Sequence, residues 1–98
     1  MSQVQLLRFG DIEVNEERAE VRRGGQPVEI TPLEFKLLLV FMRHRGRVLS
    51  RDQLIDLAWG RDTYITERAV DAHIVNLRRK VGPDSIASVR GMGYRFDG

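Results

Sequence analysis

The chain has 98 residues, 42% of them hydrophobic, which is enough for a single modest core in one domain spanning 1–98. It has no cysteine, its longest apolar run (Leu37–Met42) is far too short to span a bilayer, and no signal-peptide pattern opens it; a disulfide framework, a thiolate metal site and a transmembrane helix are thereby excluded. The net charge of +2 is unevenly spread, with four basic and six acidic side chains in residues 1–30 and twelve basic and eight acidic in residues 31–98.

Residues 1–30 alternate apolar and polar positions between turn signals. Leu7-Arg8-Phe9 leads into Gly10-Asp11, Ile12-Glu13-Val14 into Asn15–Arg18, Ala19-Glu20-Val21-Arg22 into Gly24-Gly25, and Val28-Glu29-Ile30 follows Pro27. Period two with turns between predicts a small antiparallel sheet of four short strands.

Residues 31–82 carry helix signals. Thr31-Pro32-Leu33-Glu34 supplies an N-cap, a proline at the first helical position and a capping-box glutamate. On a helical wheel Phe35, Leu37, Leu38, Phe41 and Met42 share one arc, with Lys36, Val40 and Arg43 opposite, and the helix is expected to stop near Gly46. Ser50-Arg51-Asp52-Gln53 repeats the capping spacing; Leu54, Ile55 and Ala58 form the inner face of that shorter helix and Gly60 ends it. After the loop Arg61–Ile65, Thr66 caps a third helix in which Val70, Ile74, Leu77 and Val81 recur at helical spacing, and Gly82-Pro83 stops it. Residues 83–98 read as a hairpin, Ile86–Val89 and Tyr94–Phe96 around a glycine-rich turn. Sheet, three helices and hairpin make an α+β winged helix-turn-helix with the hairpin as its wing.

With the core stripe subtracted, the third helix presents Arg68, Ala72, Val75 and Arg79, flanked by Asp71, Asn76 and Arg78. A major groove admits one helix, and base edges demand paired donors and acceptors. Asn76 can bond adenine in a bidentate way, Asp71 can accept from a cytosine amino group, and Ala72 and Val75 can pack on thymine methyls. Arg68, Arg78 and Arg79 suit phosphates, or guanine where they reach it. A surface helix with solvated charges accounts for the charges equally well, but Ala72 and Val75 gain little from water. In the wing, Arg90 sits at the tip beside Gly91 and Gly93, as a minor-groove arginine requires; the glycines also serve the turn itself.

The motifs Thr31-Pro32-Leu33-Glu34-Phe35-Lys36-Leu37-Leu38, Val48-Leu49-Ser50-Arg51-Asp52-Gln53-Leu54, Ala58-Trp59-Gly60, Arg68-Ala69-Val70-Asp71-Ala72-His73-Ile74, Leu77-Arg78-Arg79-Lys80 and Val89-Arg90-Gly91-Met92-Gly93-Tyr94-Arg95-Phe96 occur in this order. Together they resemble the winged-helix effector domain of OmpR/PhoB-type bacterial response regulators, over nearly the whole chain. The resemblance implies promoter binding in transcription regulation, commonly as tandem copies on direct repeats. It places the helix 66–82 in the major groove and Arg90 in the minor groove. It adds His73 as a phosphate donor, Trp59 as a backbone contact and Tyr94 in the wing motif to the DNA-binding set. It also implies an RNA-polymerase contact in the loop carrying Arg61, Asp62, Thr63 and Tyr64. A phosphorylatable receiver domain and a sensor kinase are expected outside these residues, in a cytoplasmic, nucleoid-associated bacterial protein. Some members carry two basic residues where this chain has Val75 and Asn76, which leaves the sequence preference open and lowers the expected number of phosphate contacts.

His73 reads equally as a half-buried residue with a local partner, and Trp59 as a core or rim anchor. Ser50 and Glu34 are explained by capping, the histidines lack metal-ligand spacing, and no phosphate-binding glycine loop follows a strand. Neither an enzyme nor a cofactor is expected. The rival reading is a winged-helix protein-interaction module, against which the arginines of the third helix argue. Non-specific stacking on single strands is disfavoured, since only Trp59, Tyr64 and Phe96 are expected to be exposed aromatics.

Overall fold

The computed structural model describes residues 6–98; the first five residues of the segment 1–30 lie outside the described residues. Strands β1 (Leu6–Phe9), β2 (Ile12–Asn15), β3 (Glu20–Arg23) and β4 (Gln26–Pro27) form an antiparallel sheet in sequence order. Leu7 pairs with Val14 and Val14 with Val21, so the alternation turns Phe9, Ile12, Val14 and Val21 inward onto the helices. The fourth strand falls earlier than expected. Gly24-Gly25 turns the chain at once, setting Arg23 opposite Gln26, and Pro27 has no N–H with which to extend the ladder. Val28–Ile30, expected as the strand, keeps a single bond from Val28 N to the Val21 carbonyl at 2.9 Å.

Helix α1 (Pro32–Arg43) begins as its sequence dictates. Glu34 N donates to Thr31 Oγ1 at 3.1 Å and Thr31 N to Glu34 Oε1 at 2.9 Å, satisfying two otherwise orphaned amides. Val40, expected on the outer face, is buried, because the second helix packs across that side of α1 as well. Helix α2 (Arg51–Leu54) has the expected Ser50 capping box and continues as a wider π-helical turn over Ile55–Trp59 that stops at Gly60. Helix α3 (Glu67–Val81) is capped by Thr66, whose hydroxyl accepts from Ala69 N at 3.1 Å, and ends at Gly82.

The wing is three-stranded. Strand β7 (Gly93–Phe96) pairs with β6 (Ile86–Val89) on one side and with β5 (Val48–Leu49), which was not expected, on the other. Gly93 makes this possible: at φ +141° its α-carbon faces β5, and a β-carbon there would lie 2.0 Å from the Leu49 carbonyl oxygen. One core joins the sheet, the three helices and the wing, with Phe41, Leu37, Leu38, Leu54, Ile74, Leu77 and Phe96 fully buried. Phe96, expected to be exposed, packs edge-on against Phe9 of the sheet at 4.8 Å between ring centroids. Each such side chain contributes about 1.5–3 kcal/mol of transfer free energy.

Candidate nucleic-acid interface

Burial of Val70, Ile74, Leu77 and Val81 fixes the roll of α3 and decides which side chains it offers to solvent. Arg68, Ala72, Val75, Asn76 and Arg79 are exposed. Val75 is 44% accessible, an apolar side chain on an otherwise polar face. Glu67 stands in the first turn and Arg78, Arg79 and Lys80 in the last, each charge complementing the nearer pole of the helix dipole. The C-terminal end is held from the sheet as well, where the Arg23 guanidinium reaches the Arg79 carbonyl at 3.4 Å.

The wing tip is closed by Met92 N donating to the Val89 carbonyl at 2.9 Å, with Gly91 at φ +77° in the left-handed region. Arg90 is exposed beside it, as is Met92 at 62%. Among the described residues Arg68, Arg79 and Arg90 enter no side-chain ion pair, so their guanidinium groups are available to a partner.

Three members of the expected set are engaged inside the protein. Asp71 does not offer a free carboxylate to a base. Its Oδ1 accepts from Arg51 Nε at 2.8 Å and from the Tyr94 hydroxyl at 2.6 Å, and its Oδ2 accepts from Arg51 Nη2 at 3.2 Å. The Arg51 hydrogen bond, reinforced by that from Tyr94, outweighs partial burial and holds the Asp71 carboxyl below its usual range. Tyr94 is buried, and burial together with the bond to Asp71 raises its phenol above the ordinary value. Arg78 reaches toward the wing: Nε donates to the Ile86 carbonyl at 2.9 Å and Nη2 to Ser88 Oγ at 2.6 Å. Arg51, which sequence reasoning passed over, is the fourth member of this cluster. Its only sequence signal is its place directly after the Ser50 cap, and its partner lies twenty residues away.

Trp59 and His73 are both half-buried, with ring centroids 5.5 Å apart and planes tilted by 58°. His73 therefore has a local partner, and the pair stands beside the exposed face of α3. The loop residues Arg61, Asp62, Thr63 and Tyr64 are exposed, Tyr64 at 95%, while Thr63 Oγ1 ties the loop back to the Trp59 carbonyl at 3.0 Å.

A helix-turn-helix packed on one sheet and flanked by a three-stranded wing defines the winged helix-turn-helix class. Within that class, residues 25–96 match the family described as "Transcriptional regulatory protein, C terminal", and the chain belongs to it. It is similar to the transcriptional regulatory protein CseB of Streptomyces avermitilis, with 50% identity over 95 residues covering 93% of this chain and 39% of that protein. It is similar also to the phosphate regulon regulator PhoB of Rhizobium meliloti, with 46% identity over 96 residues covering 94% of this chain and 42% of that protein. The chain thus spans only about two fifths of these relatives. Among solved structures, the Klebsiella pneumoniae RstA DNA-binding domain in complex with the RstA box superimposes with a TM-score of 0.83 at 28% identity, over 95% of this chain and 97% of that one. The OmpR/PhoB-type resemblance therefore holds, and the chain is an effector domain of transcription regulation rather than an enzyme. Among the described residues no helix is long and apolar enough to cross a membrane.

Proposed function

We propose that residues 1–98 act as one unit that binds double-stranded promoter DNA sequence-specifically, with α3 in the major groove and Arg90 in the minor groove. The observation that carries this reading is the composition of the exposed face of α3, where Val75 and Ala72 lie among Arg68, Asn76 and Arg79. Apolar groups on that face gain from thymine methyls and not from water, Asn76 matches an adenine edge, and Arg68 and Arg79 match phosphates. Arg90 on a slim glycine-flanked tip suits the negative potential of a narrow minor groove. His73 and Trp59 flank the phosphate side. Asp71, Arg78 and Tyr94 are left out of the contact set, since each is spent on an internal partner.

The reading extends to the whole regulator. Two copies on direct repeats, a receiver domain answering to a sensor kinase, and action on the nucleoid in a bacterial cytoplasm are its further parts. The fully exposed Tyr64 supports a contact between the loop and RNA polymerase, because a large aromatic held in water gains from any partner that covers it.

Dimethyl sulfate footprinting on a duplex selected by the domain tests the groove assignment, since guanine N7 lies in the major groove and adenine N3 in the minor groove. Protection of guanine N7 under α3, and of flanking adenine N3 that is lost in Arg90→Ala, is the expected result. Protection confined to one groove, or unchanged by Arg90→Ala, contradicts it.

A further inference from the structure

The cluster of Arg51, Asp71, Arg78 and Tyr94 joins the elements that the proposed DNA reading uses separately. Arg51 opens α2, Asp71 and Arg78 lie on α3, and Tyr94 lies on β7 of the wing. Asp71 accepts from both Arg51 and Tyr94, while Arg78 reaches across to the Ile86 carbonyl and Ser88 on β6. The Tyr94 ring also receives two cations, with the Arg78 and Arg51 guanidinium carbons 5.3 and 5.7 Å from its centroid. The backbone supplies an independent clamp at the same place. Gly93 lies against Leu49 and Ser50, and Tyr94 pairs with Leu49, so the wing is fastened directly to the residues that lead into α2.

We propose that this cluster is a positioning device that fixes the distance and angle between α3 and the wing, so that major-groove and minor-groove contacts form as one event. The inference rests on the DNA reading above. Asp71 and Tyr94 are then positioning residues: they touch no base, and they act through the placement of Arg90. A planar guanidinium fork held by a carboxylate that is itself bonded by a phenol leaves few alternative geometries, which is what a rigid joint between two groove readers requires. Without the joint, each groove contact bears its own ordering cost and the two lose their mutual support.

The test is a double-mutant cycle on a duplex selected by the wild-type domain, using Tyr94→Phe and Arg90→Ala. Tyr94→Phe keeps the ring and its packing and removes only the hydroxyl bonded to Asp71, so the domain stays folded, as its thermal midpoint will report. In the wild-type background Arg90→Ala is expected to weaken binding roughly tenfold, and in the Tyr94→Phe background by less than about threefold. A merely structural role for Tyr94 leaves the cost of losing Arg90 the same in both backgrounds, and that result overturns the proposal while leaving the DNA reading intact. If the wild-type domain binds no duplex, or Arg90→Ala costs nothing in it, the groove assignment fails and the proposal falls with it.

Discussion

Lys80 Nζ, in the last turn of α3, lies 2.6 Å from Glu34 Oε1 in the first turn of α1. The same oxygen accepts Thr31 N, so one buried carboxylate closes a capping box and joins the start of one helix to the end of another. Burial pushes the Glu34 carboxyl up, but the bonds from Lys80 and from the Thr31 backbone and hydroxyl together bring it below its ordinary value.

A pH dependence follows from that pair. A carboxyl whose folded pKa is depressed contributes stability that is fully present above its unfolded value, about 4.3 for glutamate, and is lost as pH falls through the folded value. Lys80→Met should therefore destabilise the domain by about 1–3 kcal/mol at neutral pH, with the penalty shrinking as Glu34 protonates in acid. Urea denaturation of both proteins from pH 7 to pH 3 measures it; a penalty constant with pH removes the pair as its cause.

The close approach at Gly93 makes a second prediction. Gly93→Ala sets a β-carbon on the Leu49 carbonyl and should cost more than about 3 kcal/mol, separating β5 from β7. Gly91→Ala meets open space and bears only the left-handed backbone cost of roughly 1–2 kcal/mol. Equal denaturation midpoints for the two variants would show that β5 does not pin the wing.

On α3, Arg68→Ala should weaken binding to all duplexes and lower the slope of log affinity against log salt by about one unit, as loss of a phosphate contact does. Asn76→Ala should leave that slope alone and relax preference at one base position. Affinities over a set of point-varied duplexes at three salt concentrations separate the two. An unchanged slope for the first, or an unchanged ranking of sites for the second, takes that residue off the interface.

Tyr64→Ala should leave both stability and duplex binding unchanged, since the side chain is 95% exposed and lies in the loop rather than on α3 or the wing. In reconstituted transcription with the full-length regulator it should reduce promoter output. Loss of duplex affinity instead would move the loop into the DNA interface.

The elements that sequence made legible are those whose signals are local. Capping boxes at Thr31 and Ser50, the helical recurrence of Val70, Ile74, Leu77 and Val81, and the Gly82-Pro83 stop each operate within a few residues, and each lies where it was expected. What escaped depends on distant partners. Two residues at Val48–Leu49 carry no strand periodicity and become β5 only because β7 offers a partner. Val40 looked peripheral on an isolated helical wheel and is covered by the second helix. Asp71, Arg78 and Tyr94 have the chemistry of base and phosphate readers, and only the fold reveals the bonds that they make across elements within the protein. Arg51 has no local signal that distinguishes it from any other arginine at a helix start.

Sequence-specific duplex binding through α3 is tested most directly by selecting bound sequences from a random duplex library at two salt concentrations. An enriched motif, recurring at one helical turn of about 10–11 base pairs where two copies bind, is the predicted result. Binding that enriches no sequence and vanishes steeply with salt would reduce the interface to phosphate attraction, and would contradict the assignment of Val75 and Asn76 as base readers.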